Sequence, residues 1–148
     1  MPALATLPIA ALAEKSGVDT EAIKSYERLG LLSKPRRLAN GLILYPGDED
    51  TRVTFIRRSF ELGFSLDAIR EMLGLGRSRS MNCSDIYNIA ERRLADIRQR
   101  VADLQRMEEV LAPLVETCPR RGGLAHCSIM NALSHPVAVA TVTPCDAP

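Results

Sequence analysis

The sequence predicts an all-α fold with a small β wing: a compact helical front, a long helix behind it and a cysteine-bearing loop at the rear. Two observations carry that prediction. Ala90, Leu94, Ile97, Val101, Leu104, Glu108, Leu111 and Val115 recur at alternating spacings of four and three residues, the heptad period of a coiled coil. Arg92, Arg93, Asp96, Arg98, Gln99, Arg100, Asp103, Gln105 and Arg106 fill the other faces, so the surface outside the seam is built for water. The front, by contrast, carries short helical patterns punctuated by Gly and Pro, with one β-prone run at Leu42, Ile43, Leu44 and Tyr45.

In order along the chain, residues 7–32 read as two short helices joined by a tight turn. Ile9, Leu12 and Ala13 recur at helical spacing, Gly17 sits where the chain reverses, and Asp19 or Thr20 can cap a second helix bearing Ala22, Ile23 and Tyr26. This is the pattern of a helix-turn-helix, whose second helix enters a DNA major groove. Such pairs are common in small helical proteins; Lys24 and Arg28, one turn apart, favour the nucleic-acid reading. Pro35, Asn40 and Gly41, then Pro46 and Gly47, flank the β-prone run and predict a hairpin or wing with a basic base. A second helix pair follows. Val53, Phe55 and Ile56 mark its first helix, Gly63 the stop, and Ser65 the cap of a helix with Leu66, Ile69 and Met72. Gly74 and Gly76 end it. Asn82 or Ser84 caps the long helix, with Asp85 favourable in its first turn. A helix of roughly 33 residues advances about 50 Å. Its apolar stripe is too narrow for burial inside a domain, so pairing with a second copy is expected. Pro113 either bends that helix or marks its early end.

The chain of 148 residues fits one or two small domains, and dimerisation would supply buried surface that a short front lacks. It has no tryptophan and few aromatics, which argues against stacking platforms for single strands. The net charge of +1 hides a local excess: Lys24, Arg28, Lys34, Arg36, Arg37, Arg52, Arg57 and Arg58 outnumber Glu27, Asp48, Glu49 and Asp50 across residues 24–58. That patch suits phosphates. The apolar opening lacks a charged flank and meets Glu14 and Lys15 at once, so a secretory signal is the weaker reading. No run approaches the roughly 20 apolar residues of a membrane span. A cytoplasmic location is expected, where cysteines read as ligands or reactive thiols before disulfides.

Ile9 to Leu12 with Ala13, Gly17-Val18, Ile23, Tyr26-Glu27-Arg28, Gly30-Leu31-Leu32, Tyr45, Arg52, Phe55-Ile56 and Leu62-Gly63-Phe64-Ser65-Leu66 together resemble the winged-helix N-terminal pattern of the MerR family of transcriptional regulators. The likeness continues through Ala90-Glu91, Asp96-Ile97-Arg98, Ala102-Asp103-Leu104, Arg106-Met107-Glu108, Val110-Leu111, Cys118 and Cys127, over roughly residues 7–133. It implies a winged helix-turn-helix DNA-binding domain at 1–75, a linker at 76–82, an antiparallel coiled-coil dimerisation helix at 83–117, and a metal-binding loop and short helix at 118–134; the remaining residues, 135–148, lie outside the likeness and read as a disordered tail from their Pro- and Ala-rich composition. The residues expected to meet DNA are Thr20, Lys24, Tyr26, Arg28, Lys34, Arg36, Arg37, Tyr45 and Arg52. Those expected to dimerise are Leu94, Ile97, Val101, Leu104 and Leu111. The implied partners are double-stranded promoter DNA, RNA polymerase and a second copy of the chain, with no membrane.

Cys83 opens the long helix and Cys118 follows its foot, so within one chain they are too far apart to share an ion. Antiparallel pairing puts the head of one helix beside the foot of the other, where Cys83 of the partner subunit can meet Cys118 and Cys127. Residues 119–126 include Pro119, Gly122 and Gly123 and can loop to bring two sulfurs together. The plainer alternative is three small apolar side chains, though loop cysteines beside Arg120 and Arg121 are poor core candidates and good thiolates. The resemblance makes them look like the sensor site of the family's regulators for mercury, lead and cadmium. Three thiolates suit a soft ion, whereas zinc is usually held by four ligands. The family's copper(I) sensors lack a cysteine at the helix head. Its zinc sensors carry Cys and His where this chain has Thr117 and Gly122. In the wording of the long helix and loop the chain resembles the family's mercury-responsive members, which implies mercury(II) as the effector, with lead(II) and cadmium(II) as alternatives and zinc(II) behind them. His126 reads as a solvated loop histidine or an accessory ligand, and Cys145 as an incidental tail thiol or an accessory ligand.

The resemblance further implies repression without metal and, with it, activation by distorting promoter DNA. Two departures bear on this: Ile43 stands where the family's wing usually has Arg, and Ser25 where its second helix usually has an aromatic. The reading from another class is a cytosolic metal-buffering or thiol-redox dimer without DNA binding. An enzyme is not expected, since no nucleophile and base can be paired from residue spacing, and His126 and His135 lie near the chain's end.

Overall fold

The computed structural model describes residues 5–76 and 80–135. It is mostly helical with one three-stranded sheet, and it separates into a front unit ending at Arg93 and a rear unit starting at Leu94. The front runs β1 (Thr6–Pro8), α1 (Ile9–Ser16), α2 (Thr20–Arg28), β2 (Arg36–Arg37), β3 (Ile43–Pro46), α3 (Glu49–Glu61), α4 (Leu66–Met72) and the first turns of α5 (Cys83–Glu116). Leu12, Val18, Ile23, Leu31, Leu32, Tyr45, Val53, Ile56 and Ile69 form its buried core, drawing on α1 to α4, the sheet and the turns between them.

Short-range chemistry sets the helix ends. The Asp19 carboxylate accepts from the Ala22 backbone N–H at 2.8 Å and the Ser65 hydroxyl oxygen from that of Ala68 at 3.1 Å, each satisfying a donor the first turn leaves orphaned. Gly17, at φ 66°, closes α1 in the left-handed region. At the head of α5, Asn82 and Asp85 cap each other reciprocally: the Asp85 N–H donates to the Asn82 side chain at 3.0 Å and the Asn82 N–H to the Asp85 carboxylate at 3.1 Å.

The ends of three helices are closed by arginines from elsewhere in the front. Arg57 of α3 donates to the Gly17 carbonyl after α1 at 3.3 Å, Arg70 of α4 to the Leu29 carbonyl after α2 at 2.7 Å, and Arg93 of α5 to the Leu62 carbonyl after α3 at 2.9 Å. A guanidinium there answers both the orphan carbonyls and the negative end of the helix dipole. Arg57, counted from the sequence in the basic patch, thus has a structural task.

The sheet has the order β1-β3-β2, antiparallel throughout. Leu7 pairs with Tyr45 in β1, a strand in a place where the sequence suggested helix from residue 7 onward. Three residues are too few to show alternation, and their partner lies far along the chain. Phe55 also differs from expectation: Val53 and Ile56 are fully buried while Phe55 is partly exposed, because it points to another side of α3.

The rear unit holds the rest of α5, a 3-10 turn at Leu124–His126 and α6 (Ser128–Ser134). Pro113 lies inside α5, which continues to Glu116, and the Thr117 hydroxyl and N–H both donate to the Pro113 carbonyl, at 2.7 and 3.1 Å. Among the described residues of this unit only Leu114 is buried, whereas Leu94, Val101, Leu104, Leu111 and Val115 are exposed. No helix among the described residues is long and apolar enough to cross a membrane.

Candidate nucleic-acid interface and thiol ligands

Helix α2 presents Lys24 and Arg28 to solvent on successive turns. Lys24 Nζ lies 2.8 Å from Glu21 Oε1, and Arg28 Nη2 donates to the Ser25 hydroxyl at 2.8 Å. A small hydroxyl at position 25 therefore steers Arg28, which an aromatic could not do by hydrogen bonding. Thr20 begins the helix, half-buried. Tyr26 faces the core instead, its ring stacked on Phe60 with centroids 6.0 Å apart, and burial raises its hydroxyl pKa above the ordinary tyrosine value, the Arg57 charge opposing.

At the wing, Lys34, Arg36 and Arg37 are exposed. The register sets Arg37 opposite Ile43 and Arg36 opposite Leu44. Directly opposed residues share a face of the sheet, so Arg37 lies on the face of Ile43 and Tyr45, and Arg36 on the other. The Arg37 guanidinium reaches Glu27 Oε1 at 2.5 Å, and the Tyr45 hydroxyl donates to Glu27 Oε2 at 2.8 Å. Tyr45 is fully buried. Its pKa is pushed up to about 12, first by burial and then by the hydrogen bond it gives to Glu27. Tyr26 packs against the core and Tyr45 within it, so the two brace α2 and the wing. Arg52 reaches the Ser33 hydroxyl at 3.4 Å, and the buried Glu49 carboxylate accepts from the Ser33 N–H at 2.7 Å. The segment between α2 and β2 is thereby pinned from α3.

The three described cysteines are free thiols. Cys83 is exposed as the first residue of α5. Cys118 lies half-buried just after α5, and Cys127, also half-buried, immediately precedes α6. Between the last two the chain turns through Arg120 at φ 58° and Gly122 at φ 105°, then the 3-10 turn, whose His126 N–H donates to the Gly123 carbonyl at 3.1 Å. The left-handed Arg120 is an unusual conformation for a side chain of that size. His126 is exposed. Among the described residues of one chain, no group of three His, Cys, Asp or Glu side chains is gathered to hold a metal ion. Cys145, with most of the expected tail, lies outside the described residues, as do residues 77–79 of the expected linker.

Sequence reasoning missed two features. The first is Glu27, whose partners on β2 and β3 no local pattern announces. The second is an open apolar groove of about 580 Å³ in the rear unit, lined by Asp103, Arg106, Met107, Val110, Leu111 and Leu133; only Leu111, on the heptad seam, signalled it.

Comparison with known proteins adds three findings. A family model described as MerR HTH family regulatory protein matches residues 7–75, and another, described as MerR, DNA binding, matches residues 51–114. The chain is 38% identical over 125 residues to the mercuric resistance operon regulatory protein of Bacillus cereus, covering 84% of this chain and 95% of that protein. It is 33% identical over 126 residues to the transcriptional regulator CueR of Yersinia pestis, covering 85% and 90%. Among solved structures, the lead(II) complex of a transcription regulator from Ralstonia metallidurans aligns with a TM-score of 0.71 at 28% identity, covering 86% of this chain and 98% of that one.

Proposed function

Because the chain belongs to the MerR family of transcriptional regulators, we propose that it is a metal-responsive homodimer that binds double-stranded promoter DNA, represses without metal and activates when mercury(II) is bound. The observation that carries this reading is the placement of three free thiols, Cys83 at the head of a 34-residue helix with an exposed apolar seam and Cys118 and Cys127 beyond its foot. Such a helix advances about 50 Å, so antiparallel pairing of two copies through Leu94, Ile97, Val101, Leu104 and Leu111 brings Cys83 of the partner subunit to Cys118 and Cys127. Three thiolates form a soft donor set that favours a soft ion. Bound there, the metal would tie the subunits together and change the angle between their DNA-binding domains, and RNA polymerase would then engage the distorted promoter. This requires metal to bind one dimer geometry more tightly than the other. The cytoplasm is where such a regulator works.

On the DNA, α2 lies in the major groove with Lys24 and Arg28 toward the duplex, while Lys34, Arg36 and Arg37 meet the backbone and Thr20 and Arg52 lie at its margin. Mercury(II) is favoured by the Bacillus relative. Lead(II) is the second reading, favoured by the lead(II) complex of the Ralstonia regulator; cadmium(II) and then zinc(II) follow on ligand softness and number. His126 is an accessory ligand at most.

The test of the shared site mixes a Cys83→Ala chain with a Cys118→Ala chain. The heterodimer retains one intact site, so mercury(II) titration against excess small thiol should recover half the wild-type stoichiometry in the heterodimer fraction and none in either homodimer. Complete loss in the heterodimer rejects a site built from two subunits. A gel shift on DNA upstream of the protein's own gene separates this regulator from a metal-buffering or thiol-redox dimer, which would give no specific complex at moderate salt.

A further inference from the structure

We propose that Glu27 is a positioning residue for DNA binding: its carboxylate locks the β2–β3 wing to the last turn of α2, so that helix and wing meet the duplex at one fixed angle. The inference rests on the DNA-binding reading above. Glu27 stands in the final turn of α2 (Thr20–Arg28), and its two oxygens take partners from two different strands, Oε1 from Arg37 of β2 and Oε2 from Tyr45 of β3. A carboxylate in a basic patch opposes the phosphates that patch would attract. A side chain at odds with its surroundings in this way needs another task, and the geometry supplies one.

The two partners differ in a useful way. Tyr45 is fully buried, so its bond anchors β3 from inside. Arg37 is 62% exposed while Glu27 is 23% exposed, so that bond reaches the surface. A guanidinium has five N–H donors in a fixed fork, and the single contact with Oε1 engages Nη2. With the side chain 62% exposed, the donors that Glu27 does not engage are left for a further partner. Glu27 therefore orients Arg37 toward a phosphate rather than consuming it. Ion-assisted hydrogen bonds are about twice as strong as neutral ones, which suits a two-stranded wing with only two paired residues in β2.

The experiment measures binding of the full-length dimer to duplex DNA from upstream of its own gene across a salt series, for wild type, Glu27→Ala, Glu27→Gln, Arg37→Ala and the double variant Glu27→Ala with Arg37→Ala. Glu27→Ala should weaken binding about tenfold or more and lower the slope of log affinity against log salt by about one, the signature of one lost phosphate contact. Arg37→Ala should lower the slope equally, and the double variant no further. Glu27→Gln, which keeps an acceptor for Tyr45 but loses the negative charge that pairs with Arg37, should fall between wild type and Glu27→Ala. A purely structural role would lower the melting temperature without moving the slope. Glu27→Gln binding as tightly as wild type or more tightly, with an unchanged slope, overturns the proposal, because it would make Glu27 only a repulsive charge. If Glu27→Ala fails to fold, Glu27→Gln and Arg37→Ala decide the matter alone. A wild-type protein that forms no specific complex overturns the DNA-binding reading itself, an outcome distinct from unchanged variants beside a wild type that binds.

Discussion

The front and rear of this chain solve the burial problem in opposite ways. The front closes a core of nine buried residues on itself, ties its helix ends with arginines and packs α1 against both its sheet and α3. The rear buries Leu114 and leaves Leu94, Val101, Leu104, Met107, Leu111, Val115, Leu124, Met130 and Leu133 exposed. One unit is complete, whereas the other has the composition of half an interface. Apolar residues scattered singly on a surface need no explanation, but a continuous seam at heptad spacing does. On the proposed dimer, the two units draw their stability from different sources: packing within one chain in front, association between chains behind.

The most direct way to break that contrast is a charge in the seam. Leu104→Asp should leave the front folded and abolish the dimer, because it places a carboxylate where two apolar stripes would meet. Sedimentation equilibrium should then show a monomer at micromolar concentration, with the front's helical circular dichroism retained. Operator affinity should fall by about a hundredfold or more, since two linked domains gain from effective concentration and separate ones do not. A variant that stays dimeric would mean that the chains associate elsewhere.

Deleting buried volume in the front should act without regard to association. Ile56 is fully buried, and Ile56→Ala should cost about 3 kcal/mol by urea denaturation through lost transfer energy and the cavity left behind. Leu104→Ala, at a site 63% exposed within one chain, should destabilise only through the dimer, so its cost should vary with protein concentration while that of Ile56→Ala does not. Equal, concentration-independent costs would erase the distinction between the units.

The features legible from sequence are those whose partners are close along the chain. Asp19 and Ser65 each cap a helix by bonding three residues ahead, and Asn82 with Asp85 does the same reciprocally. Gly17 stood out as a turn because few other residues accept its backbone conformation. The heptad seam was readable because its period repeats over α5. What escaped the reading depends on distant partners: Arg70 meets Leu29 across 41 residues, Arg57 meets Gly17 across 40, and Tyr45 meets Glu27 across 18. Tyr26 and Tyr45 illustrate why. A tyrosine is half apolar and half polar, and only the fold decides which half reaches water. The cysteines were legible as chemistry, whereas the described residues of one chain gather no three-ligand group, so the proposed metal site depends on a second copy that one sequence cannot supply.

The smallest of these effects sharpens the account of the front. Tyr45→Phe keeps the buried ring and removes the hydroxyl that Glu27 accepts from, which should cost about 1.5 kcal/mol at pH 7, a typical value for a bond to a charged group. The pH dependence carries the more specific signature. Tyr45 has its pKa raised from 10.0 to about 12 in the folded protein, so the fold favours the neutral phenol. Its contribution is fully present below pH 10 and is lost as pH rises through about 12, because the unfolded chain releases that proton first. Tyr26 is also raised by burial and adds a decline of the same sign. Wild type should therefore lose stability steeply between pH 10 and 12 in urea titrations under reducing conditions, and Tyr45→Phe should lose it more gently, retaining the Tyr26 share. Parallel curves for the two proteins would show that the hydroxyl of Tyr45 is not held by Glu27, and would remove the internal anchor on which the wing's angle to α2 depends.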